Sequence, residues 1–137
     1  MTKSTNLKSD ELIEKFKGYT LDPKVYSHEI QLKITWILIR KYGLEVATIK
    51  NASLTEQYYL HTLKSTAFNK ILNRAYTEIL FHFMERSSSS NFEKLMLEFP
   101  RLKHNFKNLV KTHYGYDILK QGPVEEIAPT RPILFTF

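Results

Sequence analysis

Residues 22–43 read DPKVYSHEIQLKITWILIRKYG, and this stretch decides the fold class. Asp22-Pro23 is a helix start signal, because the carboxylate accepts from first-turn amides and proline at the first helical position gives up no bond. Gly43 is the matching stop. Between them Val25, Leu32, Trp36 and Ile39 form one stripe, and Ile30, Ile34, Ile37 and Leu38 cover much of the remaining surface. The spacing predicts one long helix ending at Tyr42. A helix apolar around so much of its circumference belongs at the centre of a bundle.

Downstream, Leu44 to Lys50 makes at most two more turns before a polar break at residues 51–53. A second long helix is predicted from Thr55 to Arg86, where Leu60, Leu63, Ala67, Ile71, Ala75 and Ile79 recur every three or four residues. Upstream, Ser9 and the apolar set Leu12, Ile13 and Phe16 predict a short arm helix over residues 9–18, closed by Gly18. Ser87 to Ser90 reads as a flexible connector, and Asn91 as the cap of a helix from Phe92 to Phe99. Pro100 forces a break. Leu102, Phe106, Leu109 and Val110 predict a further helix, so that residues 91–121 close the bundle.

The last stretch, residues 122–137, reads GPVEEIAPTRPILFTF and cannot continue a helix through its prolines. Its aromatic end predicts an extended tail laid across the bundle. No alternating segments joined by Asn-Gly or Asp-Gly turns occur, so no hairpin is expected. The expectation is an all-α chain, a single domain over residues 1–137. It is an irregular helical bundle of about five helices, with two long central helices and an extended Pro-rich C-terminal tail.

A chain of 137 residues that is 42% hydrophobic carries enough apolar material for one core. The absence of cysteine excludes disulfides and thiolate zinc sites. The opening MTKSTNLKSDELIEKFKG has no apolar region behind its lysines, which reads as a cytoplasmic protein without a secretory signal. The apolar run from Ile34 to Ile39 falls well short of the ~20 residues that a membrane span requires, so no membrane association is expected. The net charge of +6 is spread along the chain. Its densest stretch is Arg101, Lys103, Lys107 and Lys111, a pattern that more often marks a solvated helix face than a phosphate-binding one.

Glycine-rich phosphate loops, paired metal-binding histidines and nucleophile elbows are all missing, so no cofactor is expected. Histidine is the remaining side chain able to bind metal or move protons near neutral pH. His28-Glu29 opens the first long helix, and the series His28, Leu32, Trp36 directs the ring along the inward stripe. His61 lies beside Tyr58, Tyr59 and Thr62. If the two long helices run antiparallel, His28 and His61 converge with tyrosine hydroxyls between them. His113-Tyr114 is a third candidate for the same cleft.

From Tyr26 to about Ile133 the chain resembles a family of small, uncharacterised, all-α bacterial proteins. The resemblance rests on Tyr26-Ser27-His28 with Trp36 and Gly43, on Tyr59-Leu60-His61-Thr62, on Phe92-Glu93-Lys94-Leu95 through His113-Tyr114-Gly115, and on Pro129 followed by Ile133. It implies a helical fold with polar residues gathered between helices and a small-molecule or metal pocket. The sequence departs from the family pattern at the second histidine, which is displaced by one residue to leave Leu60 in its place, at Lys64 and at Thr130. A one-residue displacement turns a helical side chain by roughly 100°.

Three readings of function follow. The first is a non-catalytic module binding a small molecule or protein partner in a cleft around His28, Trp36, Tyr59 and His61, with a homodimer as one form of partnership. The second is a metal-assisted enzyme in which His28 and His61 hold a cation and Glu29 or Asp117 completes the shell. The third is a nucleic-acid binder using the Arg101 to Lys111 surface.

Overall fold

Local capping chemistry sets where each helix begins. In the computed structural model, which describes residues 9–114, the chain forms α1 (Ser9–Lys17), α2 (His28–Tyr42), α3 (Leu44–His61), α4 (Lys70–Arg86), α5 (Phe92–Glu98), α6 (Arg101–His104) and α7 (Phe106–Tyr114). The all-α expectation holds for the described residues, with seven helices where about five were predicted. The Pro-rich tail and the segment containing Asp117 lie outside the described residues. The chain divides into two compact units, Met1–Phe68 and Asn69–Phe137.

In the first unit α2 is capped by Ser27, whose hydroxyl accepts from the Ile30 amide at 3.2 Å, five residues later than Asp22-Pro23 predicts. Asp22 caps a single turn instead. Its carboxylate accepts from the Lys24 amide at 2.9 Å and its carbonyl from the Val25 and Tyr26 amides, which folds Tyr26 back toward the helices. From Ile30 to Ile39 every α2 residue except Trp36 is buried, including Gln31, Lys33 and Thr35. The helix is therefore central, as its composition dictates.

Gly43 ends α2 and starts α3 with φ 83 and ψ 171, a conformation essentially reserved for glycine. The tight turn folds α3 back antiparallel to α2, so that Gln31 bonds Asn51 and Thr55 while Thr35 bonds Asn51. The polar break predicted at residues 51–53 is thus interior helix. Asn51 is fully buried and faces α2, so its amide has partners across the interface and does not compete for its own backbone. The arm α1 packs on both α2 and α3 through Leu12, Ile13 and Phe16. Burying three such side chains contributes roughly 5–8 kcal/mol before the entropy of ordering the arm is subtracted. Tyr19, with φ 62, takes the left-handed position after α1 in place of the expected Gly18.

The predicted helix from Thr55 to Arg86 is broken at residues 62–69. Lys64 adopts φ 54, and Asn69 caps α4 by accepting from the Leu72 amide at 3.0 Å. A good cap at Asn69 and a left-handed residue at Lys64 outweigh an apolar spacing that looked continuous.

In the second unit α7 packs on α4 and α6. Tyr76 stacks on Phe106 at 4.6 Å, and Phe83 packs tilted against Phe99 at 4.9 Å between ring centroids. Asn91 caps α5 as expected, accepting from the Lys94 amide at 2.8 Å. The serine connector is tied down, because Ser87 and Ser89 both donate to the Glu98 carboxylate. Beyond Pro100 the predicted single helix is split at Asn105 into α6 and α7.

Candidate functional site

Two features of the first unit carry chemistry, and they lie at different places on the α2–α3 hairpin. The first is an aromatic cluster where the start of α2 meets the end of α3. Phe16 lies 4.8 Å from Tyr58, Tyr26 5.2 Å from Tyr58 and 6.1 Å from Tyr59, and Tyr59 5.9 Å from Phe68. Tyr58 is fully buried and donates to the Leu21 carbonyl at 2.7 Å. Burial pushes its phenol up from 10.0 to about 12, and the nearby Asp22 carboxylate adds to the shift.

Several sequence-predicted residues belong to this cluster. His61 is exposed, stacks on Tyr19 at 4.4 Å and sits 3.1 Å from the Gln57 amide oxygen. Thr62 donates to the Tyr19 carbonyl at 3.0 Å. Tyr59 packs edge-on against Tyr26. The antiparallel hairpin brings His28 and Glu29, the half-buried first residues of α2, to the same end as His61. Trp36 does not join them. It sits eight residues further along α2, about 12 Å of helix axis, with the Arg40 guanidinium 5.1 Å over its ring. His113 and Tyr114 end α7 in the second unit, and their side chains lie outside the described residues, as does Asp117. Among the described residues no group of three or more His, Asp or Glu could hold a metal ion.

Beneath the cluster runs a buried polar chain that sequence reasoning missed. Tyr26 donates to Gln31 Oε1 at 2.5 Å, Gln31 Nε2 donates to Asn51 Oδ1 at 3.0 Å and Thr55 Oγ1 at 3.3 Å, and Thr55 donates to Asn51 Oδ1 at 3.2 Å. Asn51 Nδ2 donates to Thr35 Oγ1 at 2.9 Å, and Thr35 donates to the Gln31 carbonyl at 2.7 Å. Each member has its partners inside the chain, so the network fixes the register of α2 against α3 and offers nothing to a ligand. Its sequence trace is Gln31 and Thr35 one turn apart inside an apolar helix, matched by Asn51 and Thr55 one turn apart on the next.

The second feature is a cleft of about 120 Å³ between α1, α2 and α3, lined by Ile13, Lys17, Ile37, Leu38, Lys41, Tyr42, Lys50, Ser53 and Leu54. Its floor is the buried trio Ile13, Ile37 and Leu38. Its rim is the exposed side chains Lys17, Lys41, Lys50 and Ser53. Two of the cations lie against the Tyr42 ring, with Lys41 Nζ 5.7 Å and Lys50 Nζ 4.8 Å from its centroid. Sequence reasoning passed over this site because its residues come from three helices and each looks like ordinary surface or core.

In the second unit Arg101, Lys107 and Lys111 are exposed and Lys103 is half-buried. Lys107 and Lys111 share one face of α7 at a spacing of four. Among the described residues no helix is long and apolar enough to cross a membrane. No protein-family model matches the chain, and no curated protein or solved structure is significantly similar to it.

Proposed function

We propose that the protein is a non-catalytic binding module whose ligand occupies the cleft between α1, α2 and α3. The observation that carries this reading is a cleft with an apolar floor and a polar, lysine-bearing rim, assembled from three helices of the first unit. Small-molecule sites are concave, mostly apolar and edged by a few polar groups, and a cleft of about 120 Å³ floored by Ile13, Ile37 and Leu38 has that form. The aromatic cluster supports the same division of labour. Phe16, Tyr26, Tyr58 and Tyr59 spend their faces on each other, which makes them the seam that holds α1 and the following turn to the hairpin.

Saturation-transfer NMR with benzyl alcohol tests the reading. The full chain is expected to transfer signal to the aromatic protons, and Ser53→Phe, which places a ring over the cleft from an exposed helical position, is expected to abolish it. Equal transfer in both proteins would place the alcohol elsewhere and contradict the assignment.

A further inference from the structure

The three lysines that line the cleft come from three separate elements: Lys17 from the last turn of α1, Lys41 from the last turn of α2 and Lys50 from α3. Helix termini account for two of them, since a cation in the last turn meets the negative end of the macrodipole. They do not account for Lys50, which has no such field to answer. Among the described residues no carboxylate pairs with any of the three. Lys41 and Lys50 share the Tyr42 ring instead, at 5.7 and 4.8 Å. Cationic side chains that line one cleft raise the local positive potential, and an anion placed among them is attracted to it.

The floor sets a second requirement. Ile13, Ile37 and Leu38 offer an apolar floor beneath the rim, and the space of about 120 Å³ is near the ~150 Å³ of a cavity that takes one benzene molecule. Resting on the binding reading above, we infer that the cleft takes a small amphipathic anion. Its apolar body is a single ring or a short branched chain, and its carboxylate or phosphate head meets Lys17, Lys41 and Lys50. A flat anionic surface meets the lysines without filling the floor, so the geometry favours a discrete small molecule.

Isothermal titration of the full chain at low salt tests this with 3-phenylpropionate, phenyl phosphate, 3-phenylpropanol and inorganic phosphate. Both ring-bearing anions are expected to bind at least tenfold more tightly than the alcohol, and the stronger of the two identifies the head group. Inorganic phosphate is expected to bind at least tenfold more weakly than phenyl phosphate. The triple variant Lys17→Gln, Lys41→Gln, Lys50→Gln changes only exposed side chains. It is expected to keep the alcohol's affinity within twofold and to lose the preference for anions. If the alcohol binds as tightly as the anions, the inference fails while the binding reading stands. If none of the ring-bearing probes binds, both fail. Binding to phosphatidylglycerol vesicles without affinity for the monomeric probes overturns the inference in favour of a lipid surface.

Discussion

Replacing Asn51 by leucine keeps the branched shape and heavy-atom count of the side chain and removes its place in the buried network between α2 and α3. The bond Asn51 donates to Thr35 and the two it accepts, from Gln31 and Thr55, disappear. Thr35 still donates to the Gln31 carbonyl, so its hydroxyl keeps a partner. One Gln31 N–H and the Thr55 hydroxyl lose their acceptor in a buried interface, and each orphaned donor costs about 1–3 kcal/mol. Leucine returns roughly 0.5 kcal/mol through better helix propensity and about 1 kcal/mol through apolar burial. The net expectation is a loss of about 2.5 kcal/mol. Urea unfolding followed by fluorescence of Trp36, the single tryptophan of the chain, reads this hairpin directly. Adding Gln31→Met is expected to cost less than the sum of the two single changes, with a coupling of about 1 kcal/mol or more, because the second change removes a donor the first had orphaned. A loss below about 1 kcal/mol for Asn51→Leu, or additivity within about 0.5 kcal/mol, refutes the network as the lock on register.

The remaining predictions test the frame around the cleft. A free tyrosine loses its proton near pH 10, whereas Tyr58 holds its proton to about 12 in the folded chain, so its contribution is intact below pH 10 and is lost as the pH climbs toward 12. Over that window the unmodified protein should lose about 3 kcal/mol more stability than Tyr58→Phe, measured by urea unfolding at each pH; parallel curves refute the assignment. Gly43→Ala puts a β-carbon on a residue with φ 83, where open space surrounds it but the backbone is disfavoured. It should lower stability by about 1–3 kcal/mol, and an unchanged midpoint contradicts the strained turn.

Much of this architecture is legible in residues that act locally. Leu12, Ile13 and Phe16 mark the arm, Gly43 marks the turn between α2 and α3, and Asn91 and Pro100 bracket α5, because capping and backbone restriction operate over a few residues. The interruption at residues 62–69 escapes the same reading, since Leu60, Leu63 and Ala67 keep helical spacing across a stretch that is not helical. Leu60 is 43% exposed, so apolar character there reports no inward face. Asn51 misleads in the opposite sense: a polar residue that looks like a break is an interior bond partner for another helix. The histidines draw attention by their chemistry. The cleft draws none, because convergence of Lys17, Lys41 and Lys50 is a property of three helices packed together and of no segment alone.

The most direct measurement is a backbone amide chemical-shift map of the labelled full chain titrated with 3-phenylpropionate. The account predicts saturable shifts concentrated at Ile13, Lys17, Leu38, Lys41, Lys50 and Leu54, the residues around the cleft. Shifts centred on Tyr19, Tyr59 and His61, with the cleft residues unmoved, would contradict it and return the binding surface to the aromatic end of the hairpin.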